Sequence, residues 1–311
     1  MSGRKTKRKG YWKAYDKRFK IFNIKYTYDF VSFIINILLP YKEKRKVGRP
    51  LAISYNEYIA TLIIKHIFRI SLRDLETLSD YLHKKHIDSS TYGKAFQRIK
   101  ISDLTKIIVG LHLIIANSLK SSVIIYIADS TGVHLLRVYC ERIRVVNNEI
   151  KKVKYRVFDK MHVLACYYKD YGLISIVMVK WDNGYSSDSK NLLKMIKSLD
   201  FVKGAIILLD GGYDDEDLLR ELLSIDLIPI VKTKEFKWDY GISKIRKKVK
   251  KLFDKKLYKI RGVIEAIFGG LKTKFRLTLN EKLPESRCRA TLAVAIVHNI
   301  LTLMRVISIR E

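Results

Sequence analysis

Along the chain the pattern of apolar and polar positions changes character about a third of the way in. Up to that point apolar residues recur at helical spacing. Phe30 to Leu39 is an apolar run closed by Pro40. From Asn56 to Ile70, residues Tyr58, Ile59, Leu62, Ile63 and Ile67 share one broad face, the recurrence expected of a helix packed on one side. Ser71, with Asp74 three residues on, has the form of a capping box and predicts a helix over SLRDLETLSDYL. Ser90 or Thr91 opens another through Phe96 and Ile99. Asp103 to Leu119 predicts a further one, with Leu104, Ile107, Ile108, Leu111, Ile114 and Ile115 apolar. Residues 1–120 are therefore expected to form an all-helical, basic region.

From Val123 strands and helices alternate. Val123 to Ala128 is a β-branched run ending at Asp129. Met161 to Tyr168 and Leu173 to Val179 predict a hairpin around the turn-forming Lys169-Asp170-Tyr171-Gly172. Ser186 to Leu199 is expected to be helical, Ala205 to Leu209 a buried strand ending at Asp210, and Asp214 to Ser224 a helix. Leu227 to Val231 is a strand that Pro229 assigns to an edge or a bulge. A Lys-rich loop is expected from Lys244 to Lys256, then helices to the end, with Leu292 to Ile309 buried. This order describes an α/β domain with one mixed sheet over residues 121–311.

Charge narrows the class of partner. The 311 residues carry 61 Lys and Arg against 31 Asp and Glu, a formal charge of +30. Such a surplus attracts a polyanion through counterion release, so nucleic acid is the first partner to consider. The short basic helices of the first region suit a helix-turn-helix-like reader or a supporting bundle. Gly48-Arg49-Pro50 has the form of a minor-groove hook, although Val47 stands where an arginine usually precedes the glycine. Cys140, Cys166 and Cys288 are too scattered for a disulfide framework or a zinc site, so free thiols in a reducing, cytoplasmic compartment are expected. No membrane association is expected.

Three segments carry candidate chemistry. Asp129 in IADSTG and Asp210 in LLDGGYDDEDL each close a buried strand, where open α/β sheets place ligands. Two carboxylates there repel one another unless a cation lies between them, and hard oxygen donors suit Mg2+ or Mn2+. The third segment is YKIRGVIEAIFGGLK. On a regular helix Tyr258, Arg261, Glu265 and Lys272 would fall within about 60° of one another. Ile260, Val263, Ile264, Ile267 and Leu271 would lie opposite. Gly262, Gly269 and Gly270 each cost about 1 kcal/mol in a helix interior. They predict close approach of another backbone or of a nucleic acid.

Taken together these residues resemble a transposase of the DDE type, in the insertion-sequence family four and five superfamily, nearest the family-five group. Its mark, Y-x2-R-x3-E-x6-K, is matched by Tyr258, Arg261, Glu265 and Lys272. Asp210-x-Gly212-Tyr213, Asp129-Ser130-Thr131 and the Asn183 to Leu192 stretch with Asp188 are similar too. The resemblance covers residues 121–300 and implies a ribonuclease-H-like catalytic domain. It implies two divalent ions, Mg2+ or Mn2+, held by Asp129, Asp210 and Glu265, with Tyr258, Arg261 and Lys272 on DNA and Arg49 as a further DNA contact. The implied partners are double-stranded DNA, as terminal inverted repeats and as target, and a second copy of the chain, at the nucleoid. A nuclease on the same scaffold and a non-catalytic DNA binder are the alternatives.

Overall fold

In the computed structural model residues 23–40, 50–146, 149–233, 243–275 and 281–310 are described. The chain divides into two compact units, Met1–Ile99 and Lys100–Glu311. The helix expected over Asp103 to Leu119 therefore belongs with the sheet, and the division falls one helix earlier than residue 120.

In the first unit, α1 spans Ile24–Leu38, α2 Tyr55–Phe68, α3 Leu72–His83 and α4 Ser89–Arg98. Their starts are set by local chemistry. The Ser54 and Ser71 hydroxyls accept from the Glu57 and Asp74 amides, and those carboxylates return the bond to the serine amides, so both helices open on full capping boxes. Arg69 and Lys84 end α2 and α3 in the left-handed conformation. Tyr58, Leu75, Ile87 and Tyr92 form the core with Ile53. Arg49 lies outside the described residues.

In the second unit α5 spans Ile101–Leu119, followed by β1 (Ile124–Val146), β2 (Glu149–Tyr168), β3 (Leu173–Asn183), α6 (Asp188–Ile196), β4 (Ile206–Leu209), α7 (Glu216–Ser224), β5 (Ile228–Val231), α8 (Lys244–Leu252), α9 (Lys255–Tyr258), α10 (Val263–Gly269) and α11 (Pro284–Arg310). The five strands make one mixed sheet in the order β3-β2-β1-β4-β5. β1, β2 and β3 run antiparallel, and β4 and β5 are parallel to β1 and to each other. Pro229 sits on β5, the edge strand, where its missing N–H leaves no ladder bond unmade on the open side.

Helices α5 and α11 are long and apolar enough to cross a membrane by length and composition. Here they pack on each other and on β3. Asn299, fully buried on α11, ties the three together. Its side chain accepts from the Ile176 amide at 2.7 Å and donates to the Ile176 and Ile108 carbonyls at 2.7 and 3.3 Å. A buried amide satisfied on both ends fixes the register of the packing.

Two differences from the sequence expectations matter for function. First, β1 and β2 run far past the predicted strands, as an antiparallel ribbon whose ladder extends to Val146 and Glu149. Past Asp159 no third strand joins it among the described residues. Second, the Lys-rich segment is helix α8, not a loop. Its Val249 is fully buried, so the lysines decorate a packed amphipathic helix.

Candidate active site

The sheet register places the first two acids. Ala128 of β1 pairs in parallel with Leu209 of β4, and Asp129 and Asp210 are each the next residue. Neighbouring strands lie about 5 Å apart, so the two acids emerge side by side at one edge. Asp129 remains within β1, where it pairs with Val163 of β2. Asp210 sits at the N-terminus of the short 3-10 turn Gly211–Tyr213.

Arg261 joins them. Its Nη1 donates to Asp129 Oδ2 at 3.1 Å, and its Nη2 stands 3.9 Å from Asp210 Oδ1. The Tyr258 hydroxyl donates to Asp210 Oδ1 at 3.2 Å, and the guanidinium lies over the Tyr258 ring, 5.7 Å from its centre. Asp129 is 19% exposed and Asp210 51%, so one acid looks inward and the other faces solvent. Burial raises the Asp129 carboxyl above its ordinary range, and the charges of Asp210 and Asp188 add to the rise. The Ser130 amide, 2.8 Å from Oδ1, and Arg261 oppose it without cancelling it. Tyr213, 2% exposed, is pushed up further by burial and by the charges of Asp188, Asp129 and Asp210.

The third acid is placed differently. The segment is not one regular helix: α9 passes into a 3-10 turn at Lys259–Gly262, then α10, then a π turn at Gly270–Lys274. The uniform 100° stepping behind the predicted polar stripe therefore does not hold along it. Its amphipathic division does, since Ile264, Ile267 and Leu271 are buried while Glu265 and Lys272 are exposed. Glu265 stands in the first turn of α10, four residues past Arg261. Asp129, Asp210 and Glu265 do not draw their carboxylates within 4.8 Å of one another as a set. A Cβ on Gly262, Gly269 or Gly270 would meet nothing within 4 Å, so no backbone among the described residues requires those glycines.

A second cluster, only partly foreseen, surrounds Asp188 at the start of α6. Lys160 Nζ lies 2.8 Å from its Oδ1 and 2.9 Å from its Oδ2. His162 Nδ1, on a fully buried side chain, is 3.1 Å from Oδ1. Burial alone would raise the Asp188 carboxyl, but His162, Lys160 and the Ser130 hydroxyl together hold it well below the usual carboxylate range. Asn191 and Ser186 close the far side of the imidazole, each 3.0 Å from Nε2. The cluster thus fixes Ser130, the neighbour of Asp129, from β2 and α6 together. Its sequence signal is Lys160 and His162 at alternating positions, leading into the apolar run Val163–Cys166 of β2. In the same region Gly184 has a steric reason: a Cβ there would lie 2.5 Å from the Phe158 carbonyl oxygen.

Among the described residues, the three ligand-type groups whose donor atoms do gather within 4.8 Å are Glu76, His86 and Asp88, in the first unit. Glu76 Oε2 accepts from the Ser89 amide at 3.1 Å, which gives that carboxylate a structural role at the start of α4. Cys166 and Cys288 are free and buried.

A family model described as "Transposase DDE domain" matches residues 124–300, the span from the start of β1 into α11. No curated protein sequence matches the chain. Among solved structures, a piggyBac transposase synaptic complex with hairpin DNA is similar at 8% identity and a TM-score of 0.43, over 91% of this chain and 73% of that one. A pre-cleavage Mos1 transpososome is similar at 7% identity and a TM-score of 0.23, over 85% of this chain and 82% of that one.

Proposed function

Because the chain belongs to the transposase DDE-domain family, we propose that it is a DNA transposase that cleaves the ends of a mobile element and joins them to target DNA, with Asp129, Asp210 and Glu265 as the catalytic acids. The observation that carries this reading is the pairing of Asp129 and Asp210 on adjacent parallel strands beneath one arginine. The five-stranded mixed sheet supports a ribonuclease-H-like catalytic domain, and the Tyr258, Arg261, Glu265, Lys272 spacing supports the family-five assignment.

The donor set fits a divalent cation. It offers hard carboxylate oxygens only, and the burial and like charges that raise Asp129 are relieved by a positive charge between the acids. Asp129, Asp210 and Glu265 would hold two ions, Mg2+ or Mn2+. Bound there, such ions supply Lewis-acid activation of the attacking hydroxyl and neutralise the leaving oxygen. Glu265, exposed on α10, would close on the sheet-borne pair when DNA is seated. Arg261 and Lys272 would hold phosphates beside the scissile bond, and Tyr258 would order the strand. The helical N-terminal region, with Lys94, Gln97 and Arg98 exposed on α4 and Arg49 before it, would bind the ends and support a dimer on DNA.

The test incubates purified protein, Mg2+ and a duplex carrying the DNA that flanks the gene, labelled at its 3′ end, with a supercoiled plasmid. Nicking at the end followed by transfer of the label into plasmid is the expected result. Hydrolysis without transfer would assign a nuclease, and binding without nicking a non-catalytic DNA binder.

A further inference from the structure

Helix α8, absorbed by no part of the site, carries the densest charge in the described structure. From Lys244 to Arg261 the sequence has ten cations and a single acid, Asp254. Asp254 is engaged as the cap of α9, accepting from the Lys256 and Leu257 amides. On α8 itself Val249 is fully buried, while Lys244, Lys247, Lys248, Lys250 and Lys251 are exposed. At helical spacing Lys244, Lys247, Lys248 and Lys251 fall within about 100° of one another, opposite Val249. Lys244 and Lys248, and Lys247 and Lys251, are like-charge pairs four residues apart, an arrangement that destabilises a helix on its own. A polyanion lying along the face removes that repulsion.

The helix is also rigidly referred to the site. Arg246 Nε donates at 2.9 Å to Asp214 Oδ1, on a side chain with no exposure, four residues after Asp210. Beyond α8, Phe253 meets the Tyr258 ring at 5.3 Å, and Tyr258 donates to Asp210. Lys255, Lys256 and Lys259 are exposed along the same path. We infer that α8 and the α9 turn form a sequence-independent phosphate rail, which seats the sugar-phosphate backbone of duplex DNA flanking the scissile bond and leads it to Asp129 and Asp210. Nine residues of helix span about 13 Å, roughly four phosphates along one strand. A membrane surface does not fit, because the apolar side of α8 is spent on the sheet and none is left to enter a bilayer.

The inference rests on the DNA reading above, and its test separates the two. Affinity for a 30-base-pair duplex of arbitrary sequence is measured against salt for the full chain and for K244Q/K247Q/K248Q/K251Q. A charge-retaining variant with arginine at the same four positions serves as control. Each lost phosphate contact flattens the dependence of log affinity on log salt by about 0.9. Between about 50 and 200 mM salt the glutamine variant should therefore lose roughly two orders of magnitude less affinity than the wild type. The arginine variant should keep the wild-type slope, and a second unrelated duplex should give the same result. Steep salt-dependent binding by the wild type with an unchanged slope in the glutamine variant would overturn the rail and leave the DNA reading standing. Absence of wild-type binding to any duplex would overturn both.

Discussion

The two halves of the acidic site are built in different ways. Asp129 and Asp210 follow directly on the Ala128–Leu209 pair of two adjacent strands, so the hydrogen-bond ladder of the sheet sets their spacing. Asp129 is further held by the Ser130 amide, and Ser130 in turn by Asp188 with Lys160 and His162 behind it. Glu265, by contrast, is exposed on a two-turn helix flanked by a 3-10 turn and a π turn, with open space around its glycines. One half is fixed before any ligand arrives, and the other is carried on a segment whose backbone has more than one helical form close to hand. Divalent-metal sites in which one carboxylate arrives late exclude the wrong substrate by leaving the site incomplete until the right one is bound.

That contrast gives the largest predicted effect. Asp129→Asn and Glu265→Gln should each lower end cleavage by at least about 10^3-fold, in a gel assay with Mg2+. They should part company in denaturant melts, where Glu265→Gln stays within about 0.5 kcal/mol of wild type because the side chain is exposed. Full cleavage by either variant would remove these residues from catalysis.

Next comes Asp188→Asn, which leaves Lys160 and His162 in the interior without their carboxylate. A loss of roughly 2–3 kcal/mol in urea unfolding is expected, with weaker cleavage as a consequence. The folded-state pKa of Asp188 is depressed, so its contribution is complete above its unfolded value of about 4 and disappears as pH falls through the folded one. Wild-type stability should therefore decline in that acid range more steeply than that of the variant. Parallel pH curves would show that the cluster does not brace the sheet-borne half.

The smallest effect concerns the helix-borne half. Gly269→Ala with Gly270→Ala meets no steric obstacle and favours regular helix by about 1 kcal/mol per site. If bending there brings Glu265 to the other two acids, cleavage should slow about tenfold while thermal stability holds or rises. An unchanged rate would make the segment rigid in function, and the contrast between the halves would go.

Much of this was legible in the chain because it is local. The capping serine Ser71, the turn at Gly172 and the edge strand with Pro229 each depend on neighbours within a few residues, and all are found where the sequence placed them; the Ser54 cap is equally local but was not foreseen. What could not be read depends on distant partners. Helix α5 joins the second unit because it packs on α11 and β3, with Asn299 reaching Ile108 and Ile176 across the fold. Helix α8 looked like a loop because lysine density hides its thin apolar stripe, centred on the buried Val249, which shows its use once the helix packs on β5 and α7. The Asp188 cluster joins distant elements: the sequence singled out Asp188, but its partners Lys160 and His162 lie on β2, far from it in the chain.

The ribbon of β1 and β2 has a consequence for the path its two strands take away from the sheet. Its ladder slips register between His134 and Tyr139, five residues beyond Asp129. A bulge of that kind bends its strand and raises the local twist. The outer ribbon therefore leaves the sheet in a direction set by the bulge rather than by the regular ladder. The pairing of Asp129 with Val163 lies in the regular ladder, so the change of direction begins only beyond the first acid.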